Sequence, residues 1–145
     1  VGANLIEDPT KLNICNKEVL LMHGDTLCID DVDYQTFRSV VRDKKWKEDF
    51  LKKDINERIE VAKSLRDVSK IENKDKSSKI MDVNQLAVND VFQKNNATLL
   101  IHGHTHRPQE HDEIYGRRIV LGDWDKDLWY LTINNEKIEL IKEKI

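Results

Sequence analysis

Three histidines, His102, His104 and His106, fall within five residues, directly after the apolar run 97–101 and before Arg107 and Pro108. A second histidine, in His23-Gly24-Asp25, also follows an apolar run, 18–22. Neutral imidazole is the commonest nitrogen ligand for metals. Imidazole combined with carboxylate suits manganese, iron or zinc. Three histidines cannot saturate two octahedral ions, so carboxylates, an amide oxygen or water would have to supply the remaining donors. The alternative is a polar turn that is merely rich in histidine.

Such chemistry needs elements that bring the two segments together. Residues 98–101 read as a short buried strand delivering its C-terminal end to a loop. Gly103 lets the backbone pass close to whatever the histidines hold. Residues two apart on an extended chain face the same way, so His102 and His104 are expected to converge on one point. Pro108 ends regular pairing. Upstream, 11–14 and 18–22 read as a hairpin turning at Asn16-Lys17. Asp30, Asp31 and Asp33 mark a helix start, and Tyr34, Phe37, Val40 and Val41 follow at helical spacing. Between 43 and 80, Lys44, Lys45, Lys47, Lys52 and Lys53 surround Trp46, Phe50 and Leu51. Ile55, Ile59, Ala62 and Leu65 then form a stripe, and 69–79 reads as a loop or frayed helix end; the block is a helical insertion. Asp82 with Gln85 resembles a capping box for a helix burying Val83, Leu86, Ala87 and Val91. That helix leads to the histidine strand as a βαβ crossover. Strands are expected at 113–115, 117–121, 128–133 and 137–141, with turns at Gly116 and Asn134-Asn135.

The bulk properties agree with one α/β domain. The 145 residues are 39% hydrophobic and 35% charged, enough for a core and a solvated surface. A net charge of -3 gives no general attraction to nucleic acid. Cys15 and Cys28 lack CxxC spacing and read as buried thiols of a reducing compartment. No apolar run is long enough to span a membrane and no secretory leader is visible. The start at Val1-Gly2-Ala3, without methionine, suggests a piece of a longer protein.

With both histidine motifs placed, the chain resembles the calcineurin-like metallophosphoesterases. Blocks 21–28 (LMHGDTLC), 80–84 (IMDVN) and 100–108 (LIHGHTHRP) are similar within them to the UDP-2,3-diacylglucosamine hydrolase family, the pyrophosphatases of lipid A biosynthesis. The resemblance runs from the first hairpin to Trp124. It implies an αββα sandwich incomplete at its N-terminus, with 1–145 the C-terminal part of one domain and 31–80 a helical cap over a lipid chamber. It implies two Mn2+ ions, with His23 and His102 on one and His104 on the other. Asp31, Ser69, Asn73, Lys76 and His102 match positions that hold substrate, with Tyr34 and Arg66 as neighbours. Phe37, Trp46 and Phe50 would line the acyl-chain cavity. The implied reaction is attack of metal-activated water on the α-phosphorus of UDP-2,3-diacylglucosamine, releasing UMP and 2,3-diacylglucosamine 1-phosphate. Two cations would neutralise phosphoryl charge. Lys76 would add a point charge and Ser69 and Asn73 directional hydrogen bonds. The implied partners are this nucleotide-linked glycolipid, the cytoplasmic face of the inner membrane touched peripherally, and an N-terminal segment. No nucleic acid is implied.

The departure is equally informative. The family's DxH pair, GD aspartate and GN asparagine followed by arginine do not occur, and 1–15 looks like the segment after them. Alone, the chain is expected to bind metal weakly and turn over poorly or not at all. Several residues keep two readings. Asp31 caps a helix or meets substrate. Tyr34, Phe37 and Phe50 are core or chamber. The lysines of 44–53 are a solvated face or, with Trp46, rest on an anionic membrane. His106 could support a ligand histidine from behind, and His111 has no assigned role. Two other functions also stand: a metallophosphoesterase with another phosphoester substrate, and a non-catalytic lipid-binding remnant.

Overall fold

The two apolar runs that precede the histidine motifs become neighbouring parallel strands. A computed structural model describes residues 2–72 and 80–145. Its elements are β1 (Thr10–Ile14), β2 (Lys17–Met22), a 3-10 turn (Asp25–Leu27), α1 (Val32–Arg42), α2 (Lys44–Lys52) and α3 (Ile55–Glu72). They continue with α4 (Gln85–Asn95), β3 (Leu99–His102), β4 (Gln109–Glu113), β5 (Gly116–Val120), β6 (Asp127–Ile133) and β7 (Ile138–Lys144). The chain divides into two compact units, Val1–Cys28 with Val83–Ile145, and Ile29–Asp82.

In the first unit five strands run in the order β1-β2-β3-β5-β4. The central β2, β3 and β5 are parallel, while β1 and β4 pair antiparallel at the edges. Every residue of β3 is buried, as expected of a parallel strand covered on both faces. Strand periodicity sorts its side chains. Leu20, Met22 and Leu100 pack with Leu27 and with Val88 and Phe92 of α4. Val19, Leu99 and Ile101 join Ile119 against Leu131, Ile133, Ile138 and Leu140 of the β6–β7 hairpin. The layers are therefore a helix, a mixed sheet and a two-stranded sheet, consistent with an incomplete α/β sandwich.

Several local expectations shift. The first turn is Cys15-Asn16, both with positive φ (50 and 58), the backbone a two-residue hairpin loop requires. Cys15 is consequently exposed, and only Cys28 is a buried thiol. Asn84, rather than Asp82, caps α4: its side chain accepts from Leu86 N (2.9 Å) and Ala87 N (3.4 Å). The helix register follows that cap, so Val88 and Phe92 are buried while Leu86 is 75% exposed. Residues 113–115 are largely turn, and β4 lies upstream at Gln109–Glu113. Its polar composition concealed it, because an edge strand shows most of its residues to water. Gly116 closes that turn at φ 155, where a β-carbon would stand 2.2 Å from the Thr98 carbonyl oxygen.

The second unit contains α1–α3. Asp31 caps α1 through Tyr34 N (3.1 Å), and Asp43 caps α2 through Trp46 N (2.9 Å). Asp54 and Glu57 form a reciprocal capping box on α3 (3.0 and 3.3 Å). No residue of α1 or α2 is buried. The expected apolar stripe falls on α3, with Ile55 68% and Ile59 46% exposed. Helix α3 continues to Glu72, beyond the expected loop start at Ser69.

Candidate functional site

Parallel pairing of β2 with β3 sets Met22 beside His102, so the segments after the two strands emerge at the same end of the sheet. That is where open α/β sheets hold ligands. The Gly103 amide donates to the His23 carbonyl (3.0 Å) and ties the two loops together. Gly24 adopts φ 106, and a β-carbon there would come within 2.7 Å of His102 Nδ1. Glycine is needed for both the turn and the close approach of the imidazole.

Past Gly103 the chain leaves the extended conformation: His104 has φ 67 and His106 φ 53. The extended run on which the convergence of His102 and His104 was expected therefore ends at Gly103. His104 instead meets His23, with ring centroids 5.0 Å apart and planes inclined by 54°. His102 is fully buried. Arg118 Nη1 lies 3.2 Å from His102 Nε2, and His102 Nδ1 lies 3.0 Å from the Gly103 carbonyl oxygen. A guanidinium can only donate. Nε2 is therefore the acceptor, and Nδ1 carries the proton and donates to Gly103.

Behind His102 lies a chain of polar contacts. Arg118 Nε donates to Glu113 Oε1 at 2.7 Å, with the two side chains 6% and 7% exposed. Gln85 Nε2 donates to Glu113 Oε2 (2.6 Å), joining the strand pair to the start of α4. Burial pushes the Glu113 carboxyl up. The hydrogen bonds from Arg118 and Gln85, with the positive charges of Arg118 and His111, outweigh it and hold the carboxyl below its usual 4.5. On the other side, Asp25 is fully buried and its Oδ1 lies 3.2 Å from His23 Nδ1. Asp8 Oδ1 accepts from the His23 amide (3.2 Å). His106 Nδ1 lies 3.3 Å from a carboxylate oxygen of Asp123.

The fit to a metal is partial. Among the described residues no group of three or more His, Cys, Asp or Glu side chains is placed to hold an ion. His23 and His104 offer two imidazoles, whereas a divalent cation takes four or more donors. His102, with both nitrogens bonded inside the protein, presents no lone pair outward in this arrangement.

Apart from His102, the residues expected to meet substrate fall within Ile29–Asp82. Asp31 is 6% exposed and caps α1. Tyr34 and Phe37 lie on α1, and Trp46 and Phe50 stack at 5.1 Å on α2. Arg66 and Ser69 are exposed on α3. Asn73 and Lys76 lie outside the described residues. Lys45 and Lys52 both pair with Asp49 (2.6 and 3.0 Å), and these hydrogen bonds hold the Asp49 carboxyl below its usual value. Among the described residues no helix is long and apolar enough to cross a membrane.

Sequence reasoning assigned no role to Asp25, Arg118 or Glu113. The usable signal for Arg118 was its alternation with Arg117 along β5, which sets one arginine inward between apolar neighbours.

Residues 3–108 match the family model described as calcineurin-like phosphoesterase. The chain is 42% identical over 149 residues to the UDP-2,3-diacylglucosamine hydrolase of Tolumonas auensis, covering 99% of this chain and 61% of that protein. The hydrolase of the same name from Haemophilus ducreyi is 46% identical, with 87% and 54% covered. That of Bordetella pertussis is 44% identical, with 88% and 51% covered. The chain thus spans about half to three-fifths of the length of these curated relatives and corresponds to their C-terminal part.

Proposed function

Because the chain belongs to the calcineurin-like phosphoesterases, a family whose chemistry depends on divalent metal, we propose that it is the C-terminal part of a pyrophosphatase. Its substrate is UDP-2,3-diacylglucosamine, and its products are UMP and 2,3-diacylglucosamine 1-phosphate. The observation that carries this reading is the meeting of His23 and His104 from the ends of two neighbouring parallel strands, 5.0 Å between ring centroids.

In this reading His23 and His104 hold a divalent cation; imidazole with carboxylate suits manganese, iron or zinc, and manganese is the ion the family resemblance implies. The remaining donors come from the part of the relatives that this chain does not span. A bound cation would neutralise phosphoryl charge and activate water. His102 joins the ligands only if the Arg118 hydrogen bond at Nε2 or the proton at Nδ1 is displaced. A substrate contact by His102 requires the same displacement, since both ring nitrogens are otherwise bonded inside the protein. Asp31, Ser69, Asn73 and Lys76 contact the nucleotide-sugar end, with Tyr34 and Arg66 beside them. Phe37, Trp46 and Phe50 take the acyl chains, so Ile29–Asp82 acts as the cap. The lysines near Trp46 rest on the cytoplasmic face of the inner membrane.

The test combines this chain with the remaining N-terminal part of the Tolumonas auensis relative and assays UMP release with Mn2+. Release from the diacylated substrate by the combination, with little or none from the chain alone, is expected. Preference for nucleoside phosphodiesters lacking acyl chains would replace the substrate proposed here. Lipid binding with no release in any combination would mark a non-catalytic remnant.

A further inference from the structure

His102 is turned into the protein while its neighbours face out. It is fully buried, whereas His23 and His106 are exposed. Its ring fills the space between the two histidine-bearing loops. A β-carbon on Gly24 would stand 2.7 Å from His102 Nδ1, 3.2 Å from its Cγ and 3.1 Å from the Gly103 carbonyl oxygen. Backbone bonds close around the same residue: the Gly103 amide donates to the His23 carbonyl (3.0 Å) and the Leu121 amide to the His102 carbonyl (2.8 Å). The segments that follow β2, β3 and β5 thus meet at one imidazole.

Both nitrogens of that imidazole are hydrogen-bonded, Nε2 to Arg118 Nη1 (3.2 Å) and Nδ1 to the Gly103 carbonyl oxygen (3.0 Å). Arg118 is itself fixed from two further elements. Its Nε donates to Glu113 Oε1 of β4 (2.7 Å), and Glu113 Oε2 accepts from Gln85 Nε2 at the start of α4 (2.6 Å). A buried polar network with its bonds made favours one arrangement over its alternatives. Here the arrangement fixes the Gly103 carbonyl. The next residue, His104, takes φ 67, the turn that brings its ring to 5.0 Å from that of His23.

We propose that Arg118 is a positioning residue that acts through His102: its hydrogen bond at Nε2 holds the buried imidazole as an Nδ1–H spacer between the two loops, and the spacer sets the meeting of His23 with His104. His102 then stays inside the protein instead of joining the ligands. The purpose of the device rests on the metal-binding reading of the His23–His104 pair; its geometry does not.

Two observables in the metal-free full chain test it. Long-range 1H–15N correlation spectra report which nitrogen of His102 carries the proton, and ring-to-ring nuclear Overhauser contacts report the approach of His23 and His104. The native chain is expected to show His102 protonated on Nδ1 and the two outer rings in contact. Arg118→Met removes the donor at Nε2. Arg118→Lys keeps a cation for Glu113 but lacks the fork that reaches both partners. In both variants the His102 proton is expected to move toward Nε2 and the His23–His104 contact to weaken. Arg117→Met, which breaks an exposed pair, is expected to change neither. In a parallel Mn2+ titration followed by electron paramagnetic resonance, Arg118→Lys is expected to bind about 10- to 100-fold more weakly. A native His102 protonated on Nε2 overturns the proposal. So does a folded Arg118→Lys chain in which the His23–His104 contact is unchanged, whatever the tautomer, because His102 would then position nothing. If neither variant folds, the native tautomer decides alone. The expected changes in tautomer and contact, with no Mn2+ binding by the native chain even when combined with the missing part of a relative, support the role of Arg118 and remove the metal reading instead.

Discussion

Arg118→Met lowers the unfolding free energy by about 3–5 kcal/mol, the penalty typical of removing one partner from a buried ion pair. Met fills much of the space, so the loss is electrostatic. Glu113 is left nearly buried without its cation, and His102 Nε2 loses its contact with Arg118. Urea unfolding of the native and variant chains measures it, with an unchanged m-value confirming that the native fold is retained. Arg117→Met is the control. Its pair with Glu110 is 37% and 39% exposed, and exposed pairs contribute about 0–1 kcal/mol. Equal losses in the two variants would mean that the Arg118 network adds nothing beyond a surface pair. The same network sets an acid limit. The Glu113 carboxyl is held below its usual 4.5 in the folded chain, so its contribution is complete above that value. The contribution disappears as pH falls through the depressed folded value. Stability of Glu113→Gln is therefore expected to fall less steeply than that of the native chain over the same acid range.

His104→Ala is expected to reduce UMP release by more than about 100-fold in the chain combined with the rest of a relative, beyond the 10- to 100-fold typical of residues behind a ligand. The ring of His104 is the partner of His23, and without it one of the two outward imidazoles is gone. Binding of the acylated substrate is expected to change little, since the residues assigned to the acyl chains lie in Ile29–Asp82. Parallel loss of binding and turnover would assign His104 to the fold rather than to the chemistry.

The histidine strands were legible because two apolar runs, each ending in histidine and glycine, leave few options other than buried parallel strands. The pairing of Met22 with His102 fulfils that expectation. The orientation of the rings was not legible. It depends on His104 entering the left-handed region after Gly103, a conformation that a non-glycine residue seldom announces. Arg118 was hidden because arginine ordinarily reads as surface, and only its partner Glu113, on another strand, makes its burial tolerable. The helical block was easy to recognise by its periodicity, but periodicity marks an apolar face without saying what covers it. Ile55 and Ile59 remain largely exposed among the described residues.

The central claim is that His23 and His104 act on one cation. Adding Mn2+ to the isotopically labelled chain and following the ring resonances of all five histidines tests it most directly, because the paramagnetic ion broadens nearby nuclei. Broadening of His23 and His104 together, ahead of His106 and His111 and lost for His104 in a His23→Ala chain, is the expected result. Broadening centred on His106 or His111, or persisting at His104 without His23, would contradict it.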